Sequence, residues 1–407
     1  MIYSRLNHMD KIEELLTRGV DTIYPSKDEL EKVLHSGKKL KLYQGFDPTG
    51  TQLHIGHMVG LRKLAQWQRL GHHVIFLIGD GTGQAGDPSG KTKSRDTFMT
   101  RDELRQNARD YVMQAKRIVS FEGKNPVEIK YNGDWLNKLE LVDMLDIIGN
   151  FSLQQLIERD LFQERMKRNE SINLREFIYP LLQAYDSVAM KVDLELGGND
   201  QTFNMLTGRT LIKAMLKKEK YVMTTPLLAD SSGRKIGKSE GNAISIGDKP
   251  EELFKKIMTL GDEVIVLGLE CLTDIPMDEV EKVKKALADG ANPIDFKKLL
   301  AFEIVKQLNS IDDATQAQIE FERTVQNREL PNKIENLQIS IGSATLVDIV
   351  LQSGVVSSKS EAKRLIEQGG VEIDDEKITD AEYLVVNIKG EKVLKVGKRN
   401  FFRLVRK

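Results

Sequence analysis

A chain of 407 residues, 40% hydrophobic and 30% charged, has the composition of a globular protein with two or three domains. Its net charge of −1 provides no bulk attraction to nucleic acid, and no apolar run approaches the roughly 18 residues of a membrane-spanning helix. The single cysteine, Cys271, excludes a disulfide within the chain and favours a reducing cytoplasm. The amphipathic, partly acidic start MIYSRLNHMDKIEELL fits neither a signal peptide nor an Arg-rich transit peptide.

The first predicted elements form a β-α-β unit. Residues 39–43, KLKLY, alternate like a strand, and the turn GFDPTG follows. From Ile55, apolar residues recur at helical spacing until Gly71, and the run VIFLI, residues 74–78, has the length of a buried strand. A strand, a helix and a strand in about 40 residues predict parallel pairing with a right-handed crossover.

The rest of the chain divides by its pattern. Helical segments alternate with short apolar runs, which predicts an α/β fold with a parallel sheet over residues 1–247. Residues 248–330 are charged and helix-patterned, and predict a separate helical domain. A polar stretch containing a proline, residues 331–344, predicts a linker, and residues 345–407 return to a small α+β domain.

A glycine-rich segment after the second strand matches two nucleotide-binding patterns incompletely. GTGQAG, residues 81–86, fits G-x-G-x-x-G, but DPSG comes next instead of the helix that a dinucleotide site needs. AGDPSGKT, residues 85–92, has Ala85 where a P-loop requires glycine. We therefore expect an active-site loop at the carboxyl end of a strand, with a merely flexible glycine-rich loop as the alternative.

Two of the six histidines, His54 and His57, lie one helical turn apart with Gly56 between them. A spacing of three residues, without a carboxylate between them or a third ligand, does not fit a zinc helix. They stand at a helix N-terminus, where free N–H groups and the helix dipole favour an anion, and Gly56 lets a ligand approach the backbone. Two interpretations stay open, a structural pair or a phosphate site whose imidazole donors strengthen in a transition state.

The stretch DPTGTQLHIGH, residues 47–57, resembles the HIGH signature of class I aminoacyl-tRNA synthetases. The stretch KIGKS, residues 235–239, resembles the second signature of that family, the KMSKS loop, with Ile236 and Gly237 in place of Met and Ser. The two matches occur in the family's order. The resemblance implies a Rossmann-like catalytic domain with a parallel sheet, which agrees with the α/β pattern.

Three further stretches resemble the tyrosyl-tRNA synthetases, of the bacterial type with a shorter insertion: YPLLQAYDS (179–187), LELGGNDQTFN (194–204) and the GDPSGK loop. The resemblance covers essentially the whole chain and implies a tyrosine pocket. Its implied members are Tyr43 and Asp186 for the phenol, Tyr179, Asp87 and Gln183 for the α-amino group, Gln201 near the carboxylate, and Asn132 near the same pocket. Buried partners for a hydroxyl reject phenylalanine, because they would stay unpaired.

The resemblance also implies a two-step reaction without a covalent enzyme intermediate. The carboxylate of L-tyrosine attacks the α-phosphate of ATP, pyrophosphate leaves, and the 3′-terminal ribose of tRNA-Tyr takes the tyrosyl group. Catalysis is then positioning and charge stabilisation. ATP is expected with Mg²⁺ as a substrate complex, without a prosthetic group or a protein-held metal. The implied residues are Thr49 and His54 at the γ-phosphate, Lys91, Arg95, Lys235 and Lys238 at the pyrophosphate, and Asp47, Gly56, His57 and Ser239 elsewhere on ATP.

The segment 346–380 resembles an S4 RNA-binding domain, in which Ser358 or Ser360 would cap a short helix, and a basic stretch follows from Lys389. The resemblance implies contacts with the variable arm and anticodon region of tRNA-Tyr, helical support of the anticodon stem, and a homodimer. Candidate phosphate contacts are Lys359, Lys363, Arg364, Lys398 and Arg399. A small accessory domain that stabilises the dimer is the alternative.

Three rival functions are distinguished by sequence features. Tryptophanyl-tRNA synthetases share both signatures but lack an S4 domain, and the pair Tyr43 and Asp186 favours a phenol. A non-catalytic RNA-binding paralogue disagrees with the intact histidines and lysines of the two signatures. Other nucleotidyltransferases with an HxGH motif are short single domains.

Overall fold

The computed structural model describes residues 11–87, 98–158, 160–229, 236, 243–326, 335–339, 345–384, 392–397 and 400–406. The chain forms two compact units, Met1–Ala317 and Gln318–Lys407. Within the part of the chain that the structure describes, every helix is too short or too polar to cross a membrane.

The first unit is built on a six-stranded sheet with the order β1-β6-β5-β2-β3-β4. All neighbours pair in parallel except β1, which runs antiparallel to β6. The strands are β1 (Thr22–Tyr24), β2 (Lys41–Phe46), β3 (His73–Ile78), β4 (Glu128–Tyr131), β5 (Leu194–Gly198) and β6 (Tyr221–Thr225). In β3, the apolar run predicted as a buried strand is inaccessible from Val74 to Ile78, as expected for a strand covered on both faces.

Helices surround this sheet. Those before residue 230 are α1 (residues 11–17), α2 (Lys27–His35), α3 (Ile55–Arg69), α4 (Thr82–Ala85), α5 (Arg101–Ala115), α6 (Gly133–Leu136), α7 (Leu141–Ile148), α8 (Leu153–Ile157), α9 (Asp160–Lys167), α10 (Leu174–Met190) and α11 (Thr202–Leu216). The predicted β-α-β unit is confirmed as β2, α3 and β3. Gly71 ends α3 as predicted, because its φ of +79° continues no helix.

The predicted helical region contains α12 (Pro250–Met258), α13 (Val264–Leu272), α14 (Met277–Ala288), α15 (Pro293–Leu308) and α16 (Ile311–Phe321). These helices lie in the same compact unit as the six-stranded sheet up to Ala317, and the separate helical domain over residues 248–330 stays a prediction. The Arg62 side chain on α3 donates to the backbone oxygen of Cys271 at 3.2 Å and pairs with Asp274 at 2.5 Å. A buried guanidinium with these partners joins the helical region to α3.

The second unit has a five-stranded sheet with the order β7-β11-β10-β8-β9. Its elements are β7 (Glu335–Ile339), α17 (Leu346–Gln352), α18 (Lys359–Glu367), β8 (Val371–Ile373), β9 (Glu376–Lys377), β10 (Lys392–Val396) and β11 (Asn400–Arg406). The linker predicted over 331–344 is wrong for residues 335–339, since β7 pairs in parallel with β11 and buries Leu337 and Ile339. The alternation of apolar and polar side chains in ENLQI was the overlooked signal.

Candidate active site

The candidate site lies where the strand order of the six-stranded sheet changes direction. β2 pairs with β3 on one side and with β5 on the other, so the connections leave β2 in opposite directions. Open parallel sheets bind ligands at the carboxyl ends of their strands at such a point. A cavity of about 520 Å³ opens there, lined by residues that follow β2, β3 and β5 and by the start of α3.

The two histidines hold each other and the first turn of α3. His54 is the N-cap residue, and its Nδ1 accepts the N–H of Gly56 at 3.1 Å, while Nδ1 of His57 accepts the N–H of His54 at 3.1 Å. The ring centroids lie 3.8 Å apart. Each ring therefore has a structural role through its Nδ1 atom, and the phosphate interpretation stays a prediction. Because both Nδ1 atoms accept, a neutral ring carries its proton on Nε2, and Nε2 is the atom that can donate to an anion.

Gly56 is required by packing. A Cβ at this position would lie 2.9 Å from Cε1 of His54 and 3.2 Å from the backbone oxygen of Ile236. Ile236 belongs to the second signature and lines the same cavity, so the structure brings the two signatures together at the start of α3. The other predicted members of that loop, Lys235, Lys238 and Ser239, lie outside the described residues, as do Lys91 and Arg95.

Asp47 links the turn after β2 to helix α10. Its Oδ1 accepts from the Thr82 hydroxyl at 2.7 Å, and its Oδ2 accepts from the Tyr179 hydroxyl at 3.0 Å. Burial raises the pKa of Tyr179 well above its ordinary value, with Asp47 and Asp87 adding to the effect. The Tyr179 phenol therefore stays neutral and donates. Asp47, which was predicted to bind ATP, thus shares a hydrogen bond with Tyr179, which was predicted to bind the α-amino group of tyrosine. Thr49 lines the same cavity.

Asp186 is buried and held by two donors. The Asn132 amide donates to its Oδ2 at 3.0 Å and the indole N–H of Trp135 donates to its Oδ1 at 2.8 Å. Burial raises the pKa of Asp186 well above its usual range, while these two hydrogen bonds favour the carboxylate. Asn132 also accepts the N–H of Gly81 at 2.7 Å, so this side chain ties the predicted phenol site to the glycine-rich segment.

Tyr43 lines the cavity near Asp186, and its hydroxyl lies 3.1 Å from Oγ of Ser187. Burial raises the pKa of Tyr43 well above its ordinary value, and the charges of Glu195 and Asp186 act in the same direction. The phenol is therefore neutral. Ser187, Glu195 and the buried Lys220 that pairs with Glu195 were not identified from the sequence. The available signal was Glu195 itself, a charged residue inside the apolar strand LEL, since a buried charge needs a partner.

Side-chain amides form a continuous chain along the wall of the cavity. Gln183 donates to Oε1 of Glu195 at 3.0 Å and accepts from Asn204 at 3.1 Å. Asn204 also donates to Gln201 at 2.8 Å, and Gln201 donates to Oδ2 of Asp87 at 2.9 Å. The predicted amino-group and carboxylate residues are thus brought together, and each amide has a fixed orientation.

Asp80 stabilises the start of the glycine-rich segment, and it was not identified from the sequence. Its buried carboxylate accepts from Nε of Arg101 at 2.8 Å, from Nε of Arg105 at 2.7 Å and from the N–H of Gly133 at 2.7 Å. Arg101 and Arg105 both continue to Oδ1 of Asp134, at 2.7 and 2.6 Å. This network fixes the turn that follows β3.

Three of the predicted RNA contacts are exposed on one short helix. Ser358, rather than Ser360, caps α18 by accepting the N–H of Glu361 at 3.2 Å. Lys359, Lys363 and Arg364 point to solvent, whereas Ala362 and Ile366 are buried. Lys359 pairs with Asp348 at 2.7 Å. Lys398 and Arg399 lie outside the described residues.

No group of three or more His, Cys, Asp or Glu side chains that could hold a metal ion occurs among the described residues. The histidines of the site are engaged with backbone N–H groups through Nδ1.

Sequence comparison places the chain among known proteins. Residues 35–326 match the family of class I tRNA synthetases (W and Y), and residues 345–387 match the S4 domain. The chain is 39% identical to a tyrosine–tRNA ligase of Thermotoga maritima over 393 residues, which are 96% of each chain. It is 41% identical to that of Mannheimia succiniciproducens over 390 residues, 96% of this chain and 97% of the relative.

Solved structures give the same fold. A C-terminally truncated mitochondrial tyrosyl-tRNA synthetase of Aspergillus nidulans is 25% identical and superposes with a TM-score of 0.63, covering 77% of this chain and 93% of that one. A tyrosyl-tRNA synthetase of Archaeoglobus fulgidus, complexed with L-tyrosine, is 20% identical with a TM-score of 0.59 and covers 76% of this chain and 99% of that one.

Proposed function

This chain belongs to the tyrosine–tRNA ligases of the class I tRNA synthetases, and from that membership we propose that it charges tRNA-Tyr with L-tyrosine. In the first step a carboxylate oxygen of tyrosine attacks the α-phosphorus of ATP, and the bond to the bridging oxygen breaks, releasing pyrophosphate. In the second step a hydroxyl of the 3′-terminal ribose of the tRNA attacks the tyrosyl carbonyl, and AMP leaves.

The observation that carries the proposal is the buried end of the cavity, where a neutral phenol and a carboxylate with two fixed donors face one site. Tyr43 and Asp186 offer partners for one ligand hydroxyl. Phenylalanine has neither a donor nor an acceptor for these two groups, so the hydrogen bond that each would make to the ligand is lost, at a cost of about 1–3 kcal/mol for each buried group. Tryptophan carries only an N–H donor on its ring, which cannot serve both a donor and an acceptor.

The charge of the cavity favours the ammonium group of an amino acid. The described part of its lining has five carboxylates and no Lys or Arg; the carboxylates are Asp47, Asp87, Asp186, Glu195 and Asp200. We propose that Tyr179, Gln183 and Asp87 bind the α-amino group and that Gln201 lies by the substrate carboxylate. Their mutual hydrogen bonds support this role, because they fix the lone pairs and N–H groups before the ligand binds.

For ATP, brought as its Mg²⁺ complex, we propose that Asp47, Gly56 and His57 bind the nucleotide, and that Thr49 and His54 meet the γ-phosphate. The start of α3 supports this, because a helix N-terminus favours phosphate and Nε2 of each histidine can donate. Lys91, Arg95, Lys235 and Lys238 complete the proposal as the residues that stabilise pyrophosphate, and Ser239 binds elsewhere on ATP.

The test of the proposed activation step is amino-acid-dependent exchange of pyrophosphate into ATP, with tyrosine, tryptophan and phenylalanine in parallel. We expect exchange with tyrosine alone. Exchange with tryptophan would keep the fold and refute the assignment of the pocket, and no exchange with any of the three would favour a non-catalytic RNA-binding role.

For the second step we propose that α18 contacts tRNA phosphates through Lys359, Lys363 and Arg364. Replacing Lys363 and Arg364 by Glu should raise the KM for tRNA about 10-fold or more and lower its salt dependence, with tyrosine-dependent exchange unchanged. Lys32→Glu, a charge reversal on the exposed face of α2, is the matched control. An unchanged KM for tRNA in the double variant would refute the RNA-binding role of α18.

We also propose a homodimer that works in the cytoplasm. Its support is an apolar surface on α7, α8 and the start of α10, where Leu141 is 77% exposed, Leu153 63% and Leu174 70%. The buried free thiol of Cys271 agrees with a reducing compartment. The variant Leu145→Asp with Leu174→Asp should sediment as a monomer if this surface joins two copies, and a dimer that persists in the variant would place the interface elsewhere.

A further inference from the structure

Behind the phenol site lies a buried polar cluster of Ser187, Glu195 and Lys220, the polar cluster hereafter. Ser187 and Lys220 are fully buried and Glu195 is 2% exposed. Nζ of Lys220 donates to Oγ of Ser187 at 2.8 Å and makes a very short contact with Oε2 of Glu195. Gly208 on α11 makes room for it, because a Cβ there would lie 2.5 Å from Nζ of Lys220.

The polar cluster meets the substrate wall at the hydroxyl of Tyr43 and also through Glu195, which lines the cavity and accepts from the Gln183 amide at 3.0 Å. Oγ of Ser187 lies 3.1 Å from the Tyr43 oxygen and 3.4 Å from Oε2 of Glu195. A lysine side chain can only donate, so Ser187 must accept from Lys220. Ser187 then has one proton to give. The Tyr43 oxygen, at 3.1 Å, is a nearer acceptor for this proton than Oε2 of Glu195, at 3.4 Å.

We propose that Lys220, through Ser187, sets the direction of the hydrogen bond between Tyr43 and the substrate phenol. The order runs from Lys220 to Ser187, from Ser187 to Tyr43, from Tyr43 to the substrate oxygen, and from the substrate hydroxyl to Asp186. Asp186 completes the chain as an acceptor, since Asn132 and Trp135 both donate to it. No bond is made or broken in this relay. Lys220 and Ser187 are positioning residues, and Tyr43 and Asp186 touch the substrate.

This inference rests on the proposed function and deepens it, because it states which ligand groups the site accepts. A ligand must accept one hydrogen bond from Tyr43 and donate one to Asp186, which a phenol does. The amino group of 4-aminophenylalanine has two N–H donors, and its nitrogen is a poor acceptor. The hydrogen bond from the Tyr43 hydroxyl to this nitrogen is therefore weak. Without the proton from Ser187, Tyr43 can turn its own proton towards the polar cluster and accept from the ligand.

The variant that tests the relay is Ser187→Ala, which removes one oxygen and keeps the ion pair of Lys220 and Glu195. In pyrophosphate exchange the KM for tyrosine should rise about 3- to 10-fold with little change in kcat, the loss of one net hydrogen bond. The ratio of kcat/KM for tyrosine to that for 4-aminophenylalanine should fall about 10-fold. Thr207→Val is the matched control, because this buried hydroxyl on α11 donates only within its own helix, to the Phe203 oxygen at 2.8 Å.

The outcomes separate the two proposals. Wild-type exchange with tyrosine and an unchanged ratio in Ser187→Ala overturn the relay alone. No wild-type exchange with tyrosine overturns the proposed function and the relay with it. If Ser187→Ala does not fold, the wild-type protein provides the test. The relay then requires 4-aminophenylalanine to be used at least about 10-fold less well than tyrosine, and use within threefold overturns it.

Discussion

His54 caps helix α3 and is also the proposed donor to the γ-phosphate. The substitutions His54→Asn and His54→Ala distinguish these two roles. Nδ1 of His54 caps the helix by accepting the N–H of Gly56 at 3.1 Å, so the proposed donor to the γ-phosphate is Nε2. In His54→Asn the amide oxygen can take the place of Nδ1, and Asn is a good N-cap residue. That side chain is too short to provide the donor at Nε2. His54→Ala removes both the cap and the donor.

The expected magnitudes follow from these contacts. His54→Ala should lower the free energy of unfolding by about 1 kcal/mol, and His54→Asn by only a few tenths, since only alanine loses the cap. Both variants should slow formation of tyrosyl-adenylate about 100-fold, which is the usual effect of losing one transition-state donor. The affinity for tyrosine alone should stay within about twofold of wild type, because His54 caps α3 and has no proposed contact with the amino acid.

The assays are single-turnover formation of the adenylate by rapid quench, equilibrium binding of tyrosine, and unfolding in urea. A wild-type rate in His54→Asn would refute the role of Nε2. Equal losses of stability in the two variants would refute the cap. Parallel weakening of tyrosine binding and adenylate formation would mean that the histidine shapes the pocket instead of stabilising the transition state.

Three further tests probe the site and the packing elsewhere in the first unit. Gly79→Ala would put a Cβ 1.8 Å from Oδ1 of Asp47, so we expect tyrosine-dependent exchange to fall at least about 100-fold with a loss of about 1–3 kcal/mol in stability, and near-normal exchange would contradict this. Arg165→Met leaves the buried Glu176 without its ion pair at 2.6 Å and should cost about 3–5 kcal/mol in urea unfolding, part of which Glu176→Gln should restore. Burial raises the pKa of Cys271 to about 12, so at pH 8 the thiol should react with a disulfide reagent only as fast as the protein unfolds.

The parts of the fold that the sequence predicted are those with a local cause. The run VIFLI predicts β3 because it is continuous and apolar. The apolar residues of α3 recur at helical spacing up to a glycine, which predicts that helix. The sequence did not predict β1 and β7, because TIY is three residues long and three of the five residues in ENLQI are polar. Their strand character comes from the partners that they find, β6 and β11, which local sequence does not specify.

The residues of the candidate site also fall into two groups, those that a sequence motif identifies and those that only the folded chain brings together. Residues inside a contiguous motif, such as Asp47, His54 and Asp186, were identified because the motif specifies their neighbours. Lys220 and Ser187 meet only after α10, β5 and β6 are packed, and Lys220 sits in the loop before β6 without any pattern of its own. A lysine beside an apolar strand is usually solvated. Its burial is visible only in three dimensions.

The distribution of charge explains why the proposed function needs both the residues of the cavity wall and the basic residues of other stretches. The described cavity wall is rich in carboxylates, which suits an ammonium group and repels phosphates. The proposed cations for ATP, on residues 91–95 and 235–238, come from two other stretches of the chain. In the proposed function, the described wall selects the amino acid by fixed hydrogen bonds, and the cations for the phosphates come from these other stretches. The proposed roles predict that tyrosine can bind before ATP, because the contacts proposed for the amino acid do not include the cations proposed for the phosphates.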